Sequence, residues 1–261
     1  MMKNNHSNAR TVLIIGAGAA GLMAGIRAAE KDPNRQVLIA ERMERPGRKL
    51  LITGKGRCNV TNCCTIEEFM PNVLTNPRFL YSSLNALSPY EVMGFFEECG
   101  VPLKVERGER VFPVSDHSSD IVNALVQKAK DIGCRFLYNC RIKELLLEQT
   151  EDGQTVRGAL PEGGDKILAD AVIVATGGKS YPATGSTGDG YQLARQAGHR
   201  VTPLRPSLIP LVCKEKYCRD MMGLSLKMSL CALWTPRAAR RSFPSWGKCC
   251  SPTSAFPGRW C

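Results

Sequence analysis

The run Gly16-Ala17-Gly18-Ala19-Ala20-Gly21 has glycines at its first, third and sixth positions and follows Val12-Leu13-Ile14-Ile15. That spacing suits a phosphate. The first glycine permits a tight turn, and the second lets the backbone approach a pyrophosphate. The third lets a following helix pack on the strand, with its N-terminus facing the anion. Glu41 stands 20 residues after Gly21. A carboxylate at the end of a second strand can accept hydrogen bonds from both hydroxyls of an adenosine ribose, and it repels a 2′-phosphate. Immediately downstream, residues 48–62 alternate donors and glycines, with Arg48, Lys49, Lys55, Arg57, Gly54 and Gly56 among them. Such a stretch can cradle a second phosphate and a ring system, or it can be a solvated basic loop. The glycine turn by itself serves NAD and FAD equally.

These residues need a scaffold, and the flanking pattern supplies one. Thr11–Ile15 reads as a buried strand, 16–21 as the turn, Leu22–Glu30 as a helix stopped by Asp32-Pro33, and Gln36–Ala40 as the second strand. This is the size of one βαβ unit. Residues 43–64 read as an ordered loop, and 78–99 as a helical region interrupted at Ser88-Pro89. Ser119–Gly133 is an amphipathic helix with Ile121, Leu125, Ala129 and Ile132 on one face. Cys134–Tyr138 and Lys143–Glu148 read as strands, and 152–165 as a polar hairpin turn. Ala171–Ala175 reads as another buried strand ending in Thr176-Gly177-Gly178, and Gly190–Gly198 as a helix for which Asp189 is a candidate cap, with direct cofactor contact as the alternative role. Alternating strands and helices with apolar strand runs predict an α/β fold, Rossmann-like, with a parallel central sheet.

Composition narrows the class. The chain has 261 residues, 43% hydrophobic and 23% charged, which suits one large domain or two small ones and excludes collagen, coiled coil and wholesale disorder. The net charge of +11 invites a nucleic-acid reading. However, residues 221–261 hold six Lys/Arg and no Asp or Glu, so more than half of that charge sits in one stretch. The twelve cysteines include no CxxC, and spacings such as Cys58-x4-Cys63 match no common zinc pattern. With three histidines in all, a His-rich metal site is not expected. The thiols read as reduced, and the protein as cytoplasmic. The start MMKNNHSNAR is polar and unlike a secretory leader, and the apolar 11–29 stretch breaks at Gly16 and Gly18, so no membrane span is expected.

R-K-L-L-I-T-G-K-G-R-C-N-V-T-N over 48–62, after GAGAAG and Glu41, resembles the FAD-binding oxidoreductases of the aminoacetone-oxidase-like family, which includes a flavin reductase of bacterial bile-acid dehydroxylation. Further matches are Arg110–Ser115, Ala175–Gly178, Ser180–Gly190 and Pro206–Leu211, so the likeness runs from about residue 10 to Lys227. The resemblance implies FAD extended across the sheet, with hydride moving between its flavin ring and a small organic substrate. It implies cofactor contacts from Gly16, Gly18, Ala19, Ala20, Gly21, Glu41 and Arg42. It implies flavin-side contacts from Arg48, Lys49, Leu50, Gly56, Arg57, Cys58, Asn59 and Thr61, and a second pass at Thr176, Gly177 and Gly178. NAD(P)H and oxygen are the two candidates for the second redox partner, and the sequence leaves the choice between them open. No nucleic-acid or membrane partner is expected, and no catalytic acid or base is nominated. An NAD-dependent dehydrogenase and a non-catalytic dinucleotide- or nucleic-acid-binding protein are the competing functions.

After Lys227 the likeness stops. The sequence becomes rich in Trp, Cys, Arg and Pro, with Trp234, Trp246 and Trp260 all in this stretch. Back-translating Trp246–Cys261 with free third bases and shifting by two nucleotides permits G-E-M-L-F-T-H-F-G-V-S-G-P-V-V, a string like one expected in the intact family. The expected organisation is therefore a FAD-binding domain over 1–204, the start of a substrate domain over 205–227, and a poorly ordered out-of-frame tail over 228–261.

Overall fold

The computed structural model describes residues 10–151, 153–206 and 220, and the backbones of 225–229 and 247–250. The chain divides into two compact units, Met1–Val201 and Thr202–Cys261. In the second, Ser225–Ser229 pairs antiparallel with Gly247–Cys250. The expectations for 205–227 and 228–261 otherwise lie outside the described residues.

The first unit begins with β1 (Thr11–Ile15), α1 (Ala19–Lys31), β2 (Gln36–Ala40) and α2 (Arg48–Ile52). It continues with β3 (Thr61–Asn62), α3 (Ile66–Phe69), α4 (Tyr81–Ala86), α5 (Pro89–Glu98), β4 (Leu103–Glu106), β5 (Arg110–Pro113), α6 (Ser118–Asp131) and β6 (Arg135–Leu137). It ends with β7 (Ile142–Thr150), β8 (Gly153–Pro161), β9 (Ile167–Leu168), β10 (Ala171–Val174) and α7 (Asp189–Gln196). The central sheet is parallel with order β10-β1-β2-β6. The α/β, Rossmann-like expectation holds.

Side chains alternate across a strand, and here the alternation sorts the core into two layers. Val12 and Ile14 of β1, with Val37 and Ile39 of β2, pack against Leu22 and Ile26 of α1, Phe95 and Phe96 of α5, and Ile121 and Leu125 of α6. Leu13 and Ile15 face the other way, against Ile142, Leu145, Ala159 and Leu193. Burial on both faces explains the unbroken apolar run of β1. The second face is covered by the antiparallel sheet β7-β8-β9 and by α7.

Several expectations need correction. The 43–64 stretch is not simply a loop, since it contains α2, a 3-10 turn at Thr53–Gly56 and β3. Most of 152–165 is strand β8, paired with β7 from Ile142↔Pro161 to Thr150↔Gly153. Its apolar positions are few, because only Gly158 and Ala159 are fully buried, so it reads as polar turn. β10 was expected to be buried. Among the described residues it pairs with β1 alone, and Ile173 and Val174 are 38% and 41% exposed. No described helix is long and apolar enough to cross a membrane. Among the described residues, no group of three or more His, Cys, Asp or Glu is placed to hold a metal.

Candidate functional site

A cavity of about 680 Å³ opens at the C-terminal ends of β1, β2 and β10. This is where ligands bind in open α/β sheets, and the size is that of a small-molecule site. The phosphate turn forms its floor. Gly16 has φ +105°, and a Cβ there would come 2.6 Å from the carbonyl oxygen of Ala175. A Cβ on Gly21 would meet the carbonyl of Gly16 at 1.8 Å, so α1 crosses the turn only because both positions are glycine. Gly18 is different, because a Cβ there would meet nothing within 4 Å. The space above it is the cavity. α1 starts directly after Gly18, without a side-chain cap and without an acid in its first turn. No side chain of α1 itself therefore occupies its positive end.

Glu41 is 8% exposed and lines the cavity. Its carboxylate braces the turn, with Oε2 accepting from the Ala17 N–H at 2.8 Å and Oε1 from the Met43 N–H at 2.9 Å. Each oxygen keeps acceptor capacity toward the cavity. The Gly47 N–H donates to the Ala17 carbonyl at 2.8 Å, which ties the start of α2 to the same turn.

Two walls of the cavity differ in how their cations are paired. Arg45, Arg48 and Lys49 line it from the α2 side. Arg45 and Arg48 have no ion-pair partner among the described residues, and the Lys49 ammonium reaches only the Ser180 hydroxyl at 3.2 Å. Burial pushes the Lys49 pKa below the ordinary lysine value. On the opposite wall, Asp189 takes up Arg42 and Arg141. Asp189 is thus no cap, since Gly188 holds the N-cap position without a side-chain bond, and the carboxylate pairs with guanidiniums instead.

Of the residues predicted from sequence, Gly16, Gly18, Ala19, Ala20, Glu41, Arg42, Arg48, Lys49, Leu50, Thr176 and Gly177 line this cavity together. Gly21 lies beneath the turn, and Gly178 sits just outside, 3.2 Å from the Tyr191 hydroxyl when given a Cβ. Gly56, Arg57, Cys58, Asn59 and Thr61 are not in the lining. The reason is a competing set of partners. The Arg57 guanidinium stacks 4.0 Å over the Phe112 ring and forms ion pairs with Glu106 at 2.7 Å and Asp116 at 3.2 Å. Thr61 pairs with Val111 in the β3-β5-β4 sheet, and the Asn59 amide turns to the carbonyls of Thr61 and Val111. Cys58 is 1% exposed, and burial raises its thiol pKa against a hydrogen bond with Thr53, which makes it a poor thiolate. Sequence reasoning missed Arg45, Thr53, Cys140 and Arg141 in the lining. Arg45 precedes the 48–62 motif and Thr53 lies within it, whereas Cys140 and Arg141 follow β6 and carry no motif at all.

The family profile described as the HI0933-like protein Rossmann domain matches residues 10–247, past Lys227, where the sequence reading ended the likeness. The chain belongs to the HI0933-like family. It is 33% identical over 225 residues to a 3-dehydro-bile acid delta(4,6)-reductase of Clostridium scindens, covering 84% of this chain and 52% of that one. It is 31% identical over 224 residues to a ribosomal RNA dihydrouridine synthase of Haemophilus influenzae, covering 85% and 54%. The chain thus spans about half the length of these relatives. Among solved structures, the FrdA subunit of a mutant Escherichia coli quinol fumarate reductase superposes with a TM-score of 0.59 at 20% identity, covering 84% of this chain and 43% of that one. The open form of a flavocytochrome c3 fumarate reductase gives a TM-score of 0.56 at 22% identity, covering 73% and 40%. These likenesses place the HI0933-like chain in the same fold.

Proposed function

We propose that this HI0933-like chain forms the FAD-binding portion of a flavin-dependent oxidoreductase. The observation that carries the reading is the open volume over Gly18, between an uncapped helix N-terminus and the unpaired Arg45 and Arg48. A pyrophosphate fits that donor set, and Glu41 at the other side fits a ribose diol. FAD, when bound, supplies the redox chemistry through its flavin ring. The chain's own residues bind and orient it. The N–H groups of α1 and the α2 cations hold the phosphates, Glu41 accepts from the ribose, and the two glycines at 16 and 21 fix the turn.

The two relatives' names describe, respectively, a delta-reductase acting on a bile acid and a synthase making dihydrouridine in ribosomal RNA. Both names denote addition of hydrogen across a double bond. We extend that chemistry to this chain, with a small unsaturated organic molecule as substrate and NAD(P)H as electron source, in the cytoplasm. Heat denaturation of the purified chain should release stoichiometric FAD, and anaerobic NADH or NADPH should bleach the flavin absorbance. A colourless protein that takes up no added FAD contradicts the reading.

A further inference from the structure

The wall opposite α2 holds two arginines, and Asp189 already engages both guanidiniums. Arg42 follows Glu41 directly, at the place where an arginine would meet a phosphate on the ribose 2′ position. Its Nη1 instead donates to Asp189 Oδ2 at 3.2 Å, to the Thr187 hydroxyl at 2.6 Å and to the Gly185 carbonyl at 3.5 Å. Arg141 donates through Nε to Asp189 Oδ2 at 3.0 Å and through Nη2 to Oδ1 at 3.4 Å, and its Nη1 reaches Glu162 at 3.2 Å. Thr187 donates to Asp189 Oδ1 at 2.8 Å. The Asp189 side chain is 16% exposed, so this cluster is only partly screened by water. Burial opposes its ionisation, but the hydrogen bonds from Arg141 and Thr187 and the two positive charges outweigh that and hold the carboxyl below the ordinary aspartate range. Arg42, Arg141, Asp189 and Glu41 all line the cavity. Within the lining, the two guanidiniums of this wall are balanced by Asp189 and Glu41, whereas Arg45, Arg48 and Lys49 on the α2 side have no such counter-charge.

We propose that Asp189 is a positioning residue that sets ligand choice: by engaging Arg42 and Arg141 it makes the cavity accept an adenosine with a free 2′-hydroxyl and reject a 2′-phosphorylated one. NADP(H) shares its ADP portion with FAD, and this device keeps it out of the flavin cavity. The inference rests on the reading of the cavity as a dinucleotide site and adds a selection rule to it.

The probes are 5′-AMP and adenosine 2′,5′-bisphosphate, which differ only at the 2′ position, titrated against the cofactor-stripped chain. Wild type should favour 5′-AMP by at least about tenfold. Asp189→Asn should cut that preference by about tenfold, through tighter bisphosphate binding with 5′-AMP little changed, and Asp189→Glu should restore it. A merely structural role would weaken both probes together. If Asp189→Asn does not fold, Thr187→Val removes an exposed hydroxyl bridging the same groups and should shift the ratio about threefold in the same direction. Wild type binding the bisphosphate as tightly as 5′-AMP, or a ratio unmoved in the variants, overturns the proposal. If FAD still binds in that case, the cavity reading stands and the role of Asp189 falls. If FAD and both probes all fail to bind wild type, both fall.

Discussion

Residues 16–21 and 54–61 are alike in composition and opposite in use. Each is a glycine-rich turn beside positive or polar side chains. In the first, Gly18 opens on empty volume, and the helix it starts has no cap. In the second, a Cβ on Gly54 would meet the Asn59 nitrogen at 2.7 Å and the Phe112 ring at 3.0 Å. Gly54, Lys55, Gly56 and Cys58 there have φ between +55° and +87°, a run of left-handed backbone held by the packing of Arg57 on Phe112. Gly18 leaves room inside the cavity, whereas Gly54 lets the chain fold back on itself, and Gly56, though open, lies outside the cavity lining. Residue type and spacing do not distinguish the two. Partners do, because Arg57 and Asn59 of the second stretch find their acceptors within the protein.

Substitutions can break this contrast. The largest effect is expected at Gly21→Ala. Its new methyl has no place against the Gly16 carbonyl, so α1 must move, and chemical denaturation should show a loss of about 3 kcal/mol. Glu41→Ala comes next. It leaves the buried Ala17 N–H without its acceptor and removes the ribose partner, so FAD affinity measured by fluorescence titration should fall by about 1.5–3 kcal/mol. Unchanged affinity would refute the ribose role. Arg57→Met tests the second stretch. It should lower the melting temperature while leaving FAD affinity within about twofold, since Arg57 touches Phe112, Glu106 and Asp116 and not the cavity. A selective loss of flavin without a change in melting would move residues 54–61 back into the site. The smallest effect is expected at Arg48→Gln, about tenfold weaker FAD binding at low salt, shrinking as salt screens the phosphate charge.

The sequence made the sheet's centre legible because burial on both faces leaves an uninterrupted apolar run, and β1 and β2 appear at the predicted bounds. The face of α6 was legible for a related reason, since Ile121, Leu125 and Ala129 recur at helical spacing and are buried. β4, β5 and β8 were not, because short or half-polar strands carry their signal in pairing partners distant in sequence. The same holds for the site. The phosphate turn is a local motif and was read from six residues. Asp189 was misread as a cap because its partners, Arg42 and Arg141, lie 147 and 48 residues away. The placement of Arg57 depends on Phe112, Glu106 and Asp116, none of which belongs to its motif.

The central claim is that the open space over Gly18 is where a dinucleotide phosphate sits. Gly18 has φ −80° and ψ −175°, which any residue adopts, and a side chain there meets no protein atom. Gly18→Val should therefore melt close to wild type while binding FAD at least about 100-fold more weakly, or about 2.7 kcal/mol. A folded Gly18→Val protein that titrates with FAD at wild-type affinity would contradict the account.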